Sequence, residues 1–155
     1  MLVRQGTIEE MLSIWYKRYT SEFLADRIRN NQAEFWTIEM EHQLVGELYV
    51  LFELDDKDFA DAKTTAYLCA FRIADAFRGK GLGTMLMLKV LERLLSLGYM
   101  YATIGVDQEE AANERLYKRL GFAEKVKSQS VDPCDVDAFC KPVPCKEFDL
   151  LKKVL

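Results

Sequence analysis

The chain contains little of what marks several large classes of protein. It has one histidine and four cysteines among 155 residues. No apolar run approaches the ~18 residues of a membrane-spanning helix, and no apolar segment follows a basic start, so we expect neither a membrane span nor a signal peptide. Lys and Arg number 21 against 25 Asp and Glu, whereas dedicated nucleic-acid-binding proteins are usually basic. These absences favour a soluble cytoplasmic protein with no nucleic-acid or membrane partner.

The few cysteines and the single histidine do not form a metal motif. Cys134, Cys140 and Cys145 are spaced more widely than the paired cysteines of zinc sites, and no histidine lies near them. We expect them to be free thiols in a loop, with Cys69 in the core and no metal bound. His42 falls in a predicted turn and is expected to be exposed.

The hydrophobic pattern alternates between strand and helix periods. Half of the residues are hydrophobic, which at this length predicts one domain, residues 1–155, with a substantial core. Thr7 and Glu10 form a capping box that predicts a helix start, and Ser21 is the predicted cap of a second helix. The predicted strands cover residues 2–4, 34–40, 44–54, 65–73, 101–106, 122–130 and 146–154, and the later helices follow residues 83 and 107. The α/β order after residue 65 requires a crossover, which predicts a single-domain mixed, mostly antiparallel central sheet with helices on both faces.

Residues 77–84 carry three glycines, at positions 79, 81 and 83, between a predicted strand and a predicted helix. Glycines at alternate positions remove side chains from a turn, so that the backbone can approach a ligand closely. The helix that follows points its free N–H groups and positive dipole end into the turn, an arrangement that binds phosphate. The spacing matches neither the Walker loop nor the G-x-G-x-x-G dinucleotide fingerprint.

Two sequence blocks together resemble a known family. Arg78, Gly81 and Gly83 form the pattern R-x-x-G-x-G, and residues 113–122 read N-E-R-L-Y-K-R-L-G-F. In this order the blocks resemble the acetyl-CoA-binding and late-helix segments of the GNAT superfamily of N-acetyltransferases. The resemblance is strongest over about residues 66–122. It implies the GNAT-like acyl-CoA N-acyltransferase fold and acetyl-CoA as co-substrate.

The resemblance also implies roles for individual residues. The glycine turn would bind the pyrophosphate and the fourth strand the pantetheine arm. Asn113 would substitute for an asparagine that relatives carry at the position of Glu110, or would simply lie at the surface. The implied cofactor-binding residues are Phe71, Arg72, Ile73, Arg78, Gly79, Lys80, Gly81, Leu82, Gly83, Thr84, Asn113 and Tyr117.

The same comparison implies the catalytic groups. Tyr117 occupies the position of a tyrosine that protonates the departing thiolate, although a core tyrosine would have the same helical spacing. Many relatives carry a glutamate on the fourth strand as general base, and Tyr67 stands there in this chain. Glu47 and Glu53 on the preceding strand are the available carboxylates, with Glu47 as the catalytic candidate. Alternatively, both are solvated and water is the base.

The sequence thus predicts transfer of acetyl from acetyl-CoA to a primary amine of a small molecule or peptide, by direct attack. The alternatives are an acyl-CoA-binding sensor of the same fold with little catalysis, and a nucleotide-binding module; a homodimer is also open. The acidic tract, residues 55–58, could attract a cationic amine or be a solvated loop. The aromatic series Trp15, Tyr16, Tyr19 and Phe23 is expected to pack in the core rather than to line an acceptor cleft.

Overall fold

A computed structural model describes all residues, 1–155, as a seven-stranded sheet with helices on both faces. Strand order across the sheet is β1-β2-β3-β4-β5-β7-β6. Every neighbouring pair is antiparallel except β4 and β5. The elements are β1 Leu2–Gln5, α1 Ile8–Ser13, α2 Arg18–Arg29, β2 Ala33–Met40, β3 Gln43–Leu51, β4 Thr65–Ile73, α3 Leu82–Ser96, β5 Tyr101–Asp107, α4 Ala111–Arg119, β6 Glu124–Val136 and β7 Pro142–Val154. The predicted fold class is confirmed.

The sheet opens between its two parallel strands. β4 and β5 pair from Thr65–Tyr101 to Leu68–Ile104 and no further, although both strands continue. Ala70 adopts a positive φ of 53°, in the left-handed region that a residue with a side chain rarely occupies. β4 therefore turns away from β5, and a gap opens at the carboxyl ends of the two parallel strands, where open α/β sheets bind ligands.

Two apolar clusters cover the two faces of the sheet. One includes Leu86 and Leu94 of α3 together with Leu68, and the other includes Met11 of α1 and Leu24 of α2. These residues are at most 3% exposed. Both faces of β4 are buried over residues 65–69, as its continuous apolar sequence predicted, whereas Ala70 and Arg72 near its end are exposed. The longest helix, α3, has 15 residues, and no helix in the chain is both long and apolar enough to cross a bilayer.

The structure corrects two predicted boundaries. α2 begins at Arg18 after Lys17, whereas Ser21 lies buried within the helix, where its hydroxyl accepts the Lys17 N–H at 2.9 Å. β6 and β7 form a far longer hairpin than predicted, with only residues 137–141 between them. Their pairing shifts register at three places, and such irregular edges tolerate proline, so the prolines do not end the strands. Cys134 is consequently buried in β6 and Cys145 lies in β7, which leaves Cys140 as the cysteine in the loop.

Candidate active site

A loop rich in glycine, residues 78–84, joins the end of β4 to α3 and presents six consecutive backbone N–H groups. Gly79 and Gly81 both have φ of 77°, which only glycine adopts without strain. The N–H groups of residues 79–84 donate to no acceptor in the chain; the first α3 bond of this region runs from Met85 N to Gly81 O. Free amides at the positive end of a 15-residue helix form a cradle for an anion such as a phosphate.

Close packing holds this loop against the last turn of β4. A Cβ at Gly83 would lie 2.9 Å from Cζ of Phe71, so any other residue there would have to displace the Phe71 ring. The Arg78 Nε donates to the carbonyl of Ile73 at 3.0 Å, and its guanidinium also pairs with Asp75. Arg78 therefore fixes the loop to the strand while most of its side chain stays exposed.

A cleft of about 710 Å³ runs along the glycine loop between β4, α3 and α4, and is called the cofactor cleft below. Its walls include most of the sequence-predicted cofactor set: Phe71, Arg72, Ile73, Arg78, Gly79, Gly81, Leu82, Gly83, Thr84 and Asn113. Lys80 does not line the cleft. Its ammonium lies over the Phe77 ring, 5.4 Å from the centroid. Asn113 donates to the carboxylate of Glu110, the residue that stands in the position of the relatives' asparagine.

The gap between β4 and β5 forms a second cavity of about 330 Å³, called the inner chamber, which shares Phe71 with the cofactor cleft. Tyr117 of α4 lines it and is 4% exposed, with its ring packed near Phe71 and Phe122. The Tyr117 hydroxyl makes no hydrogen bond within the chain. Because every fully buried side-chain polar atom of the chain has a partner, this hydroxyl is not fully buried and opens onto the chamber. Burial, reinforced by the charge of Glu110, raises the pKa of Tyr117 well above its usual value, which keeps the phenol protonated.

A third cavity of about 230 Å³, called the side chamber, lies between β3, β4, α2 and β6. Glu47 lines it and is only 3% exposed, so the expectation of a solvated strand glutamate is wrong. The Tyr49 hydroxyl donates to Glu47 Oε2 at 3.2 Å, and Nε of Arg72 lies 3.7 Å from Oε1. Burial outweighs both contacts and raises the pKa of Glu47 to about 7.

The aromatic series at the start of α2 divides between the chamber and the surface. Trp15 has a positive φ of 42°, lines the side chamber and lies under the Arg72 guanidinium at 4.9 Å. Tyr16 and Tyr19 are 54% and 38% exposed, so the expectation that they pack in the core is wrong. Phe23 is partly buried and packs against the apolar cluster beneath α1 and α2.

Two other sequence candidates lie away from these cavities. Glu53 follows β3, is half-exposed and pairs with Lys57 at 3.3 Å. In the acidic tract, Asp56 and Asp58 both bind the ammonium of Lys127 on β6, at 2.6 and 3.1 Å. Neither Glu53 nor these aspartates line the inner or side chamber.

Sequence reasoning missed the residues that β6 contributes. Asp132, Cys134 and Asp135 all line the side chamber, and Asp132 together with Cys69 and Ala70 also lines the inner chamber. Thr20 of α2 ties this wall in place, since its hydroxyl donates to Asp135 and accepts the Val136 N–H. The three cavities thus adjoin one another in a series, called the path below. The cofactor cleft and the inner chamber share Phe71, and the inner and side chambers share Cys69, Ala70 and Asp132. No local motif marks the β6 residues, which meet β4 only through the folded sheet.

Comparisons with known proteins agree with this architecture. Residues 3–122 match the model of the acetyltransferase (GNAT) family. Because the match covers most of the chain, the protein belongs to the GNAT acetyltransferase family. No curated protein matches the chain.

Solved structures share the fold at low sequence identity. A GNAT family acetyltransferase from Elizabethkingia anophelis with acetyl-CoA bound aligns at TM-score 0.69 and 16% identity, over 99% of this chain and 97% of that one. A ribosomal-protein-alanine N-acetyltransferase from Brucella melitensis gives 0.71 and 19% over 100% of both chains. An IAA acetyltransferase from Bacillus cereus gives 0.69 and 14% over 99% of both. At these identities the likeness establishes the fold but not the acceptor.

Proposed function

We propose that this protein is an N-acetyltransferase that moves the acetyl group of acetyl-CoA to a primary amine by direct attack. The observation that carries the proposal is the path that begins at six unpaired amides of the glycine loop and ends where the free Tyr117 hydroxyl meets the inner chamber. A coenzyme A thioester requires donors for its pyrophosphate at one end and a proton for its departing sulfur at the other, and the two ends of the path would supply them.

The residues of the cofactor cleft fit this co-substrate. The N–H groups of residues 79–84 would hold the pyrophosphate, with the helix dipole of α3 adding charge stabilisation. The exposed last residues of β4, which no longer pair with β5, would align the pantetheine arm along Phe71–Ile73. Asn113 at the opposite wall would contact the same arm. Acetyl-CoA itself supplies an acyl group activated as a thioester.

Glu47 and Tyr117 would perform the two proton transfers. An amine nucleophile must be neutral, so a base has to remove one proton from the ammonium form before attack. Glu47 lines the side chamber with a pKa of about 7, which suits a general base at neutral pH. Tyr117 would donate a proton to the departing sulfur, and the new amide nitrogen releases its second proton as the phenol is restored. Proton transfers of this kind contribute roughly 10²- to 10⁴-fold each.

One observation favours a second candidate, an acyl-CoA-binding sensor with little catalysis. The position where the resemblance places a glutamate holds Tyr67, which is 2% exposed and cannot act as a base at neutral pH because burial raises its pKa well above the usual range. The buried Glu47 carboxyl supports the enzyme instead.

Binding and turnover together test the proposal. Calorimetric titration with acetyl-CoA should show micromolar affinity, with ATP and NAD as parallel controls that bind far more weakly. Thiol release should then be followed at pH 8 with a panel of alkyl diamines, amino acids and peptides with free N-termini or lysines. Tight acetyl-CoA binding without thiol release from any amine would favour the sensor, and equal binding of ATP would exclude the cofactor assignment.

A further inference from the structure

We infer that the side chamber takes its acceptor as an unbranched primary alkylammonium ion and that Asp132 is the carboxylate that binds this ion. The inference names the acceptor class for the proposed function and rests on it. Four features of the chambers support it: the pairing of their charges, the position of Asp132, the Tyr67 hydroxyl beside it, and the size of the side chamber.

The charges that line the side chamber leave one carboxylate without a cation. Glu47 pairs with Arg72 at 3.7 Å, and Asp135 pairs with Lys17 at 2.8 Å. Asp132 forms no salt bridge; its Oδ1 accepts the Cys134 N–H at 2.9 Å, and its other neighbouring donor is the uncharged Tyr67 hydroxyl. A largely enclosed carboxylate without a counter-ion is costly, so a cationic ligand at Asp132 would be favoured.

Asp132 lies where the acceptor has to deliver its nitrogen. It lines both the side chamber and the inner chamber, together with Cys69 and Ala70, whereas Glu47 lines the side chamber alone. An ammonium held at Asp132 would therefore stand at the passage between Glu47 and the Tyr117 hydroxyl. One N–H would point to Asp132 and another would be available to Glu47.

The Tyr67 hydroxyl adds a second polar group to this passage. Tyr67 is 2% exposed, its hydroxyl lies against the Asp132 carboxylate, whose pKa it lowers through a hydrogen bond, and it opens onto the inner chamber. The charge of Asp132 adds to burial in keeping this phenol protonated, because both raise its pKa. Gly105 makes room for it, since a Cβ there would lie 3.4 Å from the hydroxyl and 3.0 Å from the Phe148 ring. With its own hydrogen directed at Asp132, the Tyr67 oxygen can accept the third N–H of the ammonium.

The volume of the side chamber and its paired cations further restrict the class of acceptor amine. The side chamber is about 230 Å³, below the usual range for small-molecule pockets, and has Trp15, Leu24 and Tyr49 among its walls. A narrow alkyl chain fits such a space better than a ring system. Both cations of the chamber already have carboxylate partners, so none is free for a carboxylate beside the amine. The predicted class is the end of an unbranched alkylammonium chain, whether from a free diamine or from a lysine side chain.

Several titratable groups face Asp132 and shape its pH response. They are Tyr67 and Cys69 of β4, Cys134 and Asp135 of β6, Cys145 of β7, and Lys17 before α2. Burial raises the pKa of Asp132 most strongly, and the charge of Asp135 raises it further. The Cys134 amide, the Tyr67 hydroxyl and the charge of Lys17 lower this pKa. Ammonium binding should therefore weaken on acidification at a pH above the ordinary range of an aspartate.

Binding of butylamine tests the inference without turnover. Amide chemical shifts of the protein, followed by NMR at pH 7.5 with and without coenzyme A, should move in strands β4 and β6 on addition of butylammonium. Binding of norvaline, which adds a carboxylate to the α-carbon of butylamine, and of butanol, which lacks the charge, should be at least about tenfold weaker. Asp132→Asn should lose about 10- to 100-fold in butylammonium affinity, the range of a hydrogen bond to a charged group. Asp132→Glu should retain part of it, and Glu53→Gln, outside the site, should retain all of it.

Turnover then separates this inference from the proposed function and identifies the source of the amine. Putrescine and a lysine-containing peptide with a blocked N-terminus are compared as acceptors, and Asp132→Asn should raise KM for the better one far more than it lowers kcat. If amines are acetylated but Asp132→Asn leaves both butylammonium affinity and KM unchanged, the inference is overturned while the proposed function stands. If butylammonium binding depends on Asp132 but no amine is acetylated, the proposed function fails and the ammonium site stands. Thermal unfolding of each variant confirms that it is folded.

Discussion

Arg72 and Glu47 sit opposite each other on β4 and β3, with Nε and Oε1 3.7 Å apart. The guanidinium is about half-exposed and stacks on Trp15, whereas the carboxyl is almost fully buried. The cation lowers the pKa of Glu47, but burial acts more strongly, and the result is about 7. This pair therefore places a carboxyl that titrates near neutrality inside the side chamber.

The first prediction concerns stability and pH. Glu47 has a pKa of about 7 in the folded chain against 4.5 as the ordinary value, so the folded state holds more protons between these values. The contribution of Glu47 to the free energy of unfolding is constant below about pH 4.5. It decreases as pH rises to about 7, by an amount on the order of 3 kcal/mol. Glu47→Gln removes this titration and should flatten the pH dependence of the free energy of unfolding.

Urea unfolding of both proteins at pH 4.5, 6 and 8 measures this difference. Glu47→Gln should gain stability relative to the parent as pH rises. Parallel curves for the two proteins across this range would show that Glu47 titrates normally and is not buried in solution.

The second prediction uses the same substitution for activity. If Glu47 removes the amine proton, kcat/KM of the parent rises with pH through about 7. Glu47→Gln should lower kcat/KM by roughly 10²- to 10³-fold at pH 7.5, with less loss at high pH where the free amine is abundant. Initial rates from pH 6 to 9.5 measure this, with Glu53→Gln as the matched control on the same stretch of chain. An unchanged profile would leave water as the base.

The third prediction separates binding from proton donation at Tyr117. Its hydroxyl makes no hydrogen bond in the chain, so Tyr117→Phe should change the free energy of unfolding by less than about 0.5 kcal/mol. Without the proton donor, kcat should fall roughly 10²-fold or more, while the Kd of acetyl-CoA stays within about threefold. Tyr101→Phe, at the start of β5 and outside the three cavities, should alter neither kcat nor the Kd of acetyl-CoA. Unchanged turnover by Tyr117→Phe would show that Tyr117 is not the proton donor.

The fourth prediction compares two glycines whose backbones have similar positive φ values. Gly81 and Gly98 have φ of 77° and 86°, and a Cβ at either would meet nothing within 4 Å. Alanine at either position should cost about 1–2 kcal/mol, because both would force a side chain into the left-handed region. Only Gly81→Ala should also weaken acetyl-CoA binding, by about tenfold or more, since its methyl group would enter the phosphate cradle. Equal acetyl-CoA affinities for the two variants, by calorimetry, would show that the glycine loop does not hold the cofactor.

The fifth prediction follows the cysteines. Cys140 is exposed in the β6–β7 loop, whereas Cys69 and Cys134 are buried and burial raises the pKa of the Cys134 thiol. Cys145 is exposed, but partial burial and the charge of Asp132 raise its pKa. N-ethylmaleimide at pH 7 should therefore modify Cys140 first and Cys145 more slowly, because the thiolate is the reactive form. Cys69 and Cys134 should react only on unfolding, as read by peptide mass mapping, and early labelling of Cys134 would mean that the β6 wall opens.

What the sequence revealed well was local in origin. The capping box at Thr7 and Glu10, the buried run of β4 and the glycine loop all depend on neighbours within a few residues, and each is present in the structure. Tyr117 could be selected as a candidate for a related reason, because a block of ten contiguous residues carries the family pattern. The helix cap at Ser21 failed because the local signal competed with tertiary packing: Ser21 is buried inside α2.

What the sequence left open was decided by contacts between distant segments. Alternation along β3 showed that Glu47 shares a face with Tyr49, but its depth of burial depends on α2 and β6 closing over that face. Asp132 had no signal of its own, because only the long β6–β7 hairpin brings it beside Tyr67.

The sequence alone therefore determined the family, the order of elements and the glycine loop, since periodicity, capping and glycine placement act over short stretches of chain. Tertiary structure alone decided which carboxylates line the side chamber, which of them lack a cation and how wide that chamber is. Those properties come from desolvation and from pairing across the sheet, and both depend on residues far apart in the chain.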